Sequence, residues 1–185
     1  TDAVGNGSTA IGYGSTSTGL RSSVMGYFSV AGGDYSTALG YTNTASGNYS
    51  TAAGKESTAS GIYSIAIGED NTASGSNSIA IGENCDAAAQ NAVSIGQNAD
   101  VSSQFATAIG YNIDAAHYGS VVIGSGNGSS NPLTTSTSGI AMGIGSNIPT
   151  LFVTPSGGVD TFGLVGIGTS NPQSALAVNG TVTAR

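Results

Sequence analysis

Basic residues are almost missing from this chain of 185 residues. Arg21, Lys55 and Arg185 are all it has, against ten acidic ones, for a net charge of −7. Gripping phosphates takes clustered Lys and Arg, so nucleic acid is a poor partner, and so is an anionic membrane surface. Cys85 is the only cysteine, which rules out an intrachain disulfide. No apolar run approaches the ~18 residues of a membrane span, and no secretory signal is visible. Trp is absent, and charged residues make up only 7%, where an ordinary domain has about 25%. The apolar share, 38%, is mostly Ala, Ile and Val, too small for a conventional core of large side chains. The signature of disorder, high polarity with a large net charge, is missing too, since the mean hydropathy is slightly positive at +0.10. The chain opens in mid-pattern with "AVGNGSTAIG" and reads as a fragment or processed piece of a longer one.

Glycine is what the sequence has in excess, and it is spaced. Gly12, Gly26, Gly40, Gly54, Gly68, Gly82, Gly96, Gly110 and Gly124 each close a pentad of the type "SIAIG", always 14 residues apart. A second series, Gly5, Gly19, Gly33, Gly47, Gly61 and Gly75, lies midway and then degrades to Ala89, Ser103 and His117. Two punctuation points per repeat imply two short strands and two turns. That is one coil of a β-solenoid, each coil stacked about 4.8 Å above the last. A helical repeat of the same length fails on the abundance of Gly and the scarcity of Leu, Glu and Lys. The expected fold is all-β, a parallel β-roll of 14-residue coils.

Strand alternation assigns the faces. Two residues before each pentad glycine stand Ala10, Val24, Ala38, Ala52, Ala66, Ala80, Ser94, Ala108 and Val122. On the other strand Ala31, Ala45, Ala59, Ala73, Ala87, Val101 and Ala115 recur one coil apart. A narrow coil has room inside for little more, so these columns point inward. The residue just before each glycine must then point out: Ile11, Met25, Leu39, Ala53, Ile67, Ile81, Ile95, Ile109 and Ile123. Burying each large side chain is worth roughly 1.5–3 kcal/mol, and an apolar stripe left wet marks an interface. An obligate oligomer follows, of unspecified chain number. Within "SIAIGEDN" the Ser and Ala are expected inside, the isoleucines at the interface, Gly at the turn, and "EDN" in solvent.

The repeats "STALGYTNTASGNYSTAAG" (36–54) and "SIAIGEDNTASGSNSIAIG" (64–82) resemble the head repeats of YadA-like trimeric autotransporter adhesins, over about residues 4–128. The resemblance implies left-handed parallel β-rolls, three to a homotrimer, with the isoleucine stripe on the threefold axis. It also implies that two identical chains are the first partners.

After Gly124 the beat stops. "SGNGSSNPLTTSTSG" (125–139) reads as a loop, and "GIAMGIG" (139–145) as one last, displaced coil. "TLFVT" (150–154) is expected to be a strand and "PSGG" (155–158) a turn. "ALAVNGTVTA" (175–184) carries a hairpin signal about Asn-Gly. Three regions are thus expected: the roll over 1–128, a transition over 129–149 and a small β region over 150–185. The stretch "VGIGTSNPQSALAVNGTV" (165–182) resembles the segment of phage tail fibres and tailspikes that precedes an endosialidase-type, self-cleaving chaperone. That resemblance implies a virion location and makes Arg185 either a processing site or a mere boundary. A bacterial adhesin head would instead lead into a neck and a heptad stalk, and neither appears in this chain.

Several residues invite a functional reading. Tyr13, Tyr27, Tyr41 and Tyr111 follow repeat glycines, while Tyr35, Tyr49, Tyr63 and Phe105 form a second outward column. Either column can hold sugar rings or serve as a ladder that stiffens adjacent coils. Asp86, Asp100 and Asp114 recur one coil apart and either gather a cation such as calcium or cap their own turns. Glu56, Glu69, Asp70 and Glu83 form an acidic patch, but a thin roll offers no cleft for paired-carboxylate hydrolysis. His117 has no Cys or second His with which to share a metal and reads as a turn residue or receptor contact. Cys85 reads as a packed thiol. The triplets at Asn6, Asn48, Asn127 and Asn179 match the glycosylation pattern, as composition alone leads one to expect. The 125–139 loop is either a binding insertion or an adaptor. No cofactor and no enzymatic activity is expected. The leading expectation is a trimeric viral fibre segment attaching to a host-surface glycan, alongside further fibre or virion proteins. The alternatives are a bacterial adhesin head and a polysaccharide-degrading tailspike.

Overall fold

The computed structural model describes residues 1–127, 133–134, 138–145, 148–154 and 163–180. Every regular element among them is a β-strand, and all the strands join one sheet. Each repeat makes two. The pentad gives a long strand, such as Ile65–Glu69 or Ile79–Glu83, and a short one such as Thr72–Ala73 follows. Neighbouring coils pair in parallel and in register: Ile65 with Ile79, Gly68 with Gly82, Thr72 with Asp86. The chain is therefore a parallel β-solenoid, in which every column of the sequence is a column in space.

The corners are built by a device the sequence does not announce. From Arg21 to Asn112 every seventh residue is a non-glycine with left-handed φ, between 49° and 60°. Strand residues donate forward to the next coil, as Thr72 N–H does to Cys85 O at 2.8 Å. Corner residues donate backward: Asp70 N–H to Lys55 O at 2.9 Å, Asn77 N–H to Ile62 O at 2.8 Å. Each corner thus ties a coil to the one before it. The midway glycines do not supply this turn. A Cβ on Gly61 would stand 2.0 Å from Gly75 O, so close approach demands glycine there, and the left-handed residue is Tyr63, two positions on. Gly68 answers both demands, with φ +126° and a Cβ site 1.9 Å from Gly82 O.

The alanine columns are fully buried, as the alternation requires, except at Ala10 in the first coil, which is partly exposed. A further inward column is Ser15, Ser29, Asn43, Ser57, Asn71 and Cys85. In "EDN", accordingly, Glu69 and Asp70 face solvent but Asn71 does not. Its Nδ2 donates to Ile67 O at 3.0 Å and Gly82 O at 2.8 Å, and its Oδ1 accepts Cys85 N–H at 3.0 Å. Asn43 repeats the arrangement on Leu39 O, Gly54 O and Ser57 N–H. Ser15, Ser29 and Ser57 reach the glycine carbonyl of the next coil with one hydroxyl each. Where the column turns apolar, at Ala99 and Ile113, the backbone pairs there instead. The strands correspondingly lengthen to Val93–Val101 and Thr107–Asp114.

The roll continues past Gly124. Ile140–Gly143 pairs in parallel with Val121–Ser125, and Gly143 meets Gly124, as expected of a displaced coil. Leu133–Thr134 pairs with Ile113–Asp114, so the expected loop carries one short rung. The rest of 128–137 lies outside the described residues. Leu151–Val153 then runs antiparallel to Ile140–Gly143, placing Phe152 against the inward Ala141. Phe152 and Leu133 are fully buried and plug the end of the roll. Val165–Ile167 continues the sheet, and Leu176–Val178 pairs with it in parallel. The expected turn at 155–158 and the second arm of the 175–184 hairpin lie outside the described residues, as does Arg185.

Candidate functional site

Three outward features hold the candidate residues. The first is the apolar stripe. Ile11, Met25, Leu39, Ile67, Ile109 and Ile123 each leave 37–53% of their surface exposed in the single chain, while Ile81 and Ile95 are half-buried. The stripe runs on without a register change to Met142, 42% exposed. Beside Met142 an open apolar cavity of about 390 Å³ is lined by Ile123, Gly124, Gly143, Ile144, Thr150 and Leu151. Sequence reasoning missed this cavity, because it depends on the antiparallel strand folding back at the end of the roll.

The second feature is aromatic. Tyr13, Tyr27 and Tyr41 stack with ring centroids 5.5 and 5.2 Å apart. Tyr35, Tyr49 and Tyr63 stack at 5.0 and 4.8 Å, with interplanar angles of 3° and 13°. In each stack the middle ring, Tyr27 or Tyr49, has both faces covered, while Tyr13 and Tyr63 at the ends remain 68% and 56% exposed. Phe28 packs edge-on to Tyr13 and Tyr27, and the guanidinium of Arg21 lies 5.7 Å above the Tyr35 ring. Both were missed; the doublet "YF" at 27–28 was the signal for Phe28, and the 14-residue spacing of Arg21 and Tyr35 the signal for the other. Tyr111 stands apart, between Gln97 and Ser125. Phe105 meets Tyr118 rather than a ladder of tyrosines.

The third feature is acidic. Asp86, Asp100 and Asp114 occupy adjacent rungs in register around an open groove of about 230 Å³ shared with Ala88, Val101 and Ser102. Partial burial raises the carboxyl pKa of all three, and for Asp100 the two neighbouring carboxylates add to the rise. His117 pulls Asp114 the other way. No group of three metal-ligating side chains with the geometry to hold an ion occurs among the described residues. Two carboxylates of the acidic patch, Glu69 and Glu83, have partners along their own ladder. Lys55 Nζ lies 2.6 Å from Glu69 Oε1, and Gln97 Nε2 donates to Glu83 Oε2 at 2.9 Å. The Glu69 contact raises the Lys55 pKa.

The repeat geometry has a counterpart among known families. The model of the YadA head domain repeat, two copies to the unit, matches residues 3–29, 31–57, 59–84 and 87–112, more than half of the chain. This chain belongs to the YadA head-repeat family. Heads of the YadA type are trimeric, surface-exposed adhesin modules, and their β-solenoid is a structural fold rather than that of an enzyme family. No curated protein matches the chain. The YadA match ends within the lengthened strand Thr107–Asp114, so the last coils and the plugged end lie beyond the matched repeats.

Proposed function

We propose that three copies of this chain assemble through the outward isoleucine stripe into a trimeric attachment module, a segment of a viral tail fibre that holds a glycan on a host cell surface. The observation that carries assembly is the stripe itself. It runs through ten in-register rungs, from Ile11 to Met142, with only Ala53 small. A cyclic arrangement buries the same patch on every copy, and trimeric heads in the YadA family support the count of three. The viral context is supported by the resemblance of 165–182 to tail-fibre segments. The family match itself favours a second reading, the head of a bacterial trimeric adhesin.

The stacked tyrosines constrain how a glycan would be held. The middle rings, Tyr27 and Tyr49, have both faces covered, so a sugar held there would lie along the ladder edge, hydrogen-bonded to a row of hydroxyls. Each contact is weak, and three copies per fibre raise weak contacts to stable attachment by effective concentration. A glycan array probed with wild type and with Tyr49→Phe tests the receptor. The stack survives in Y49F and the hydroxyl is lost, so binding is expected to drop several-fold at unchanged melting temperature. Unaltered binding removes this ladder from the receptor site. Antibody against the trimer is expected to label phage tails; labelling of uninfected bacteria decides for the adhesin head. Turnover of capsule or lipopolysaccharide by the purified trimer would overturn the non-enzymatic reading.

A further inference from the structure

The apolar cavity at the end of the roll is open in the single chain, and an exposed knob stands at its rim. Ile144 is 86% exposed, the highest value among the large apolar residues described. It follows Gly143, where an added Cβ would stand 3.2 Å from the Leu133 side chain and 3.3 Å from Thr150 N, so the residue is carried on a packed rung. Ile123, Met142 and Leu151 form the apolar wall. No charged side chain lines the cavity, and Thr150 is its only polar residue, which excludes a charged ligand. The wall also continues the outward stripe, since Ile109, Ile123 and Met142 are successive rungs of one column. A second copy brought up along that stripe presents its own Ile144 at the same height.

We infer that Ile144 of each protomer seats in the cavity walled by Ile123, Met142 and Leu151 of the next protomer. The site is thus completed only by a partner copy, and it locks the trimer beyond the matched YadA repeats. The inference rests on the proposed trimer. Every chain carries both knob and hole, so a cyclic assembly fills every hole and leaves no knob unpaired.

Site-specific cross-linking of the full chain tests this. In a Cys85→Ser background, chains carrying Ile144→Cys are co-assembled with chains carrying Met142→Cys, and air oxidation is followed on non-reducing gels. Cys85 lies in a column where serine already serves, and Ile144 is exposed, so folding is not at risk. The expected result is a disulfide-linked pair of unlike chains. Chains carrying Ile144→Cys paired with Thr58→Cys give none. Absence of the I144C–M142C product, with sedimentation still showing a trimer, overturns the inference and leaves the proposed trimer standing. A wild type that sediments as a monomer overturns both.

Discussion

Asn71 shows how much one buried side chain does in so thin a molecule. It satisfies two carbonyls and one N–H at a corner where the backbone cannot, joining its own coil to the next. Removing the amide leaves those groups buried and unpaired, at roughly 1–3 kcal/mol for an unsatisfied group. Asn71→Ala is expected to lower the denaturant midpoint by the equivalent of about 2–3 kcal/mol. Asn71→Ser is expected to cost less, because Ser57 makes the carbonyl bond one coil earlier in the same column. Equal losses in the two variants would show that the amide is not what holds the corner. The inward direction of Asn71 was not legible in the sequence, and the reason is physical. Alternation assigns faces only within a strand, and a left-handed residue such as Asp70 resets the parity across the corner. The alanine columns needed no such crossing, so Ala66 and Ala73 were placed inside from sequence alone.

At the scale of an element, the ladder of Asp86, Asp100 and Asp114 couples the lower coils to pH. Burial is the leading cause of each raised pKa, with mutual repulsion added at Asp100. Around them stand Thr72 and Thr134, the rungs before and after, with Ser102 in the groove and His117 near Asp114. A carboxyl whose folded pKa lies above its unfolded value binds protons more tightly when folded. Its stabilisation is complete below the unfolded pKa, near 3.8, and is lost as pH rises through the raised folded value. Asp100→Asn removes the middle charge. It is expected to raise the urea midpoint at neutral pH and to flatten its dependence as pH rises above the unfolded carboxyl value; an unchanged pH profile would remove the ladder as a cause. The register of these rungs could be read from spacing alone. The lengthening of their strands could not, because it depends on Ala99 and Ile113 lacking a polar group for the corner.

For the whole molecule the stripe matters more than any single contact. In the proposed trimer, Ile81→Asp would bring three carboxylates together at the stripe, where each unpaired charge buried between chains costs several kcal/mol. The expected outcome is loss of the trimer in sedimentation, while the roll keeps its β-sheet circular dichroism; a trimeric I81D would place the interface elsewhere. Solenoid, coil length and outward stripe were all legible, because a repeat of 14 prints each spatial column directly into the sequence. The plugged end was not, since the antiparallel pairing of Leu151–Val153 and the burial of Phe152 occur once and leave no period. The vertical stacking of coils also has a mechanical meaning. The hydrogen bonds between coils lie along the roll, so tension applied along it opens a single chain like a zip, rung after rung, rather than shearing it all at once. Each coil that yields frees 14 residues, adding roughly 45 Å of extended chain. A force trace of the isolated chain would therefore show a sawtooth of small, equal steps. An attachment module made this way would absorb a pull as a damper does, lengthening before it lets go.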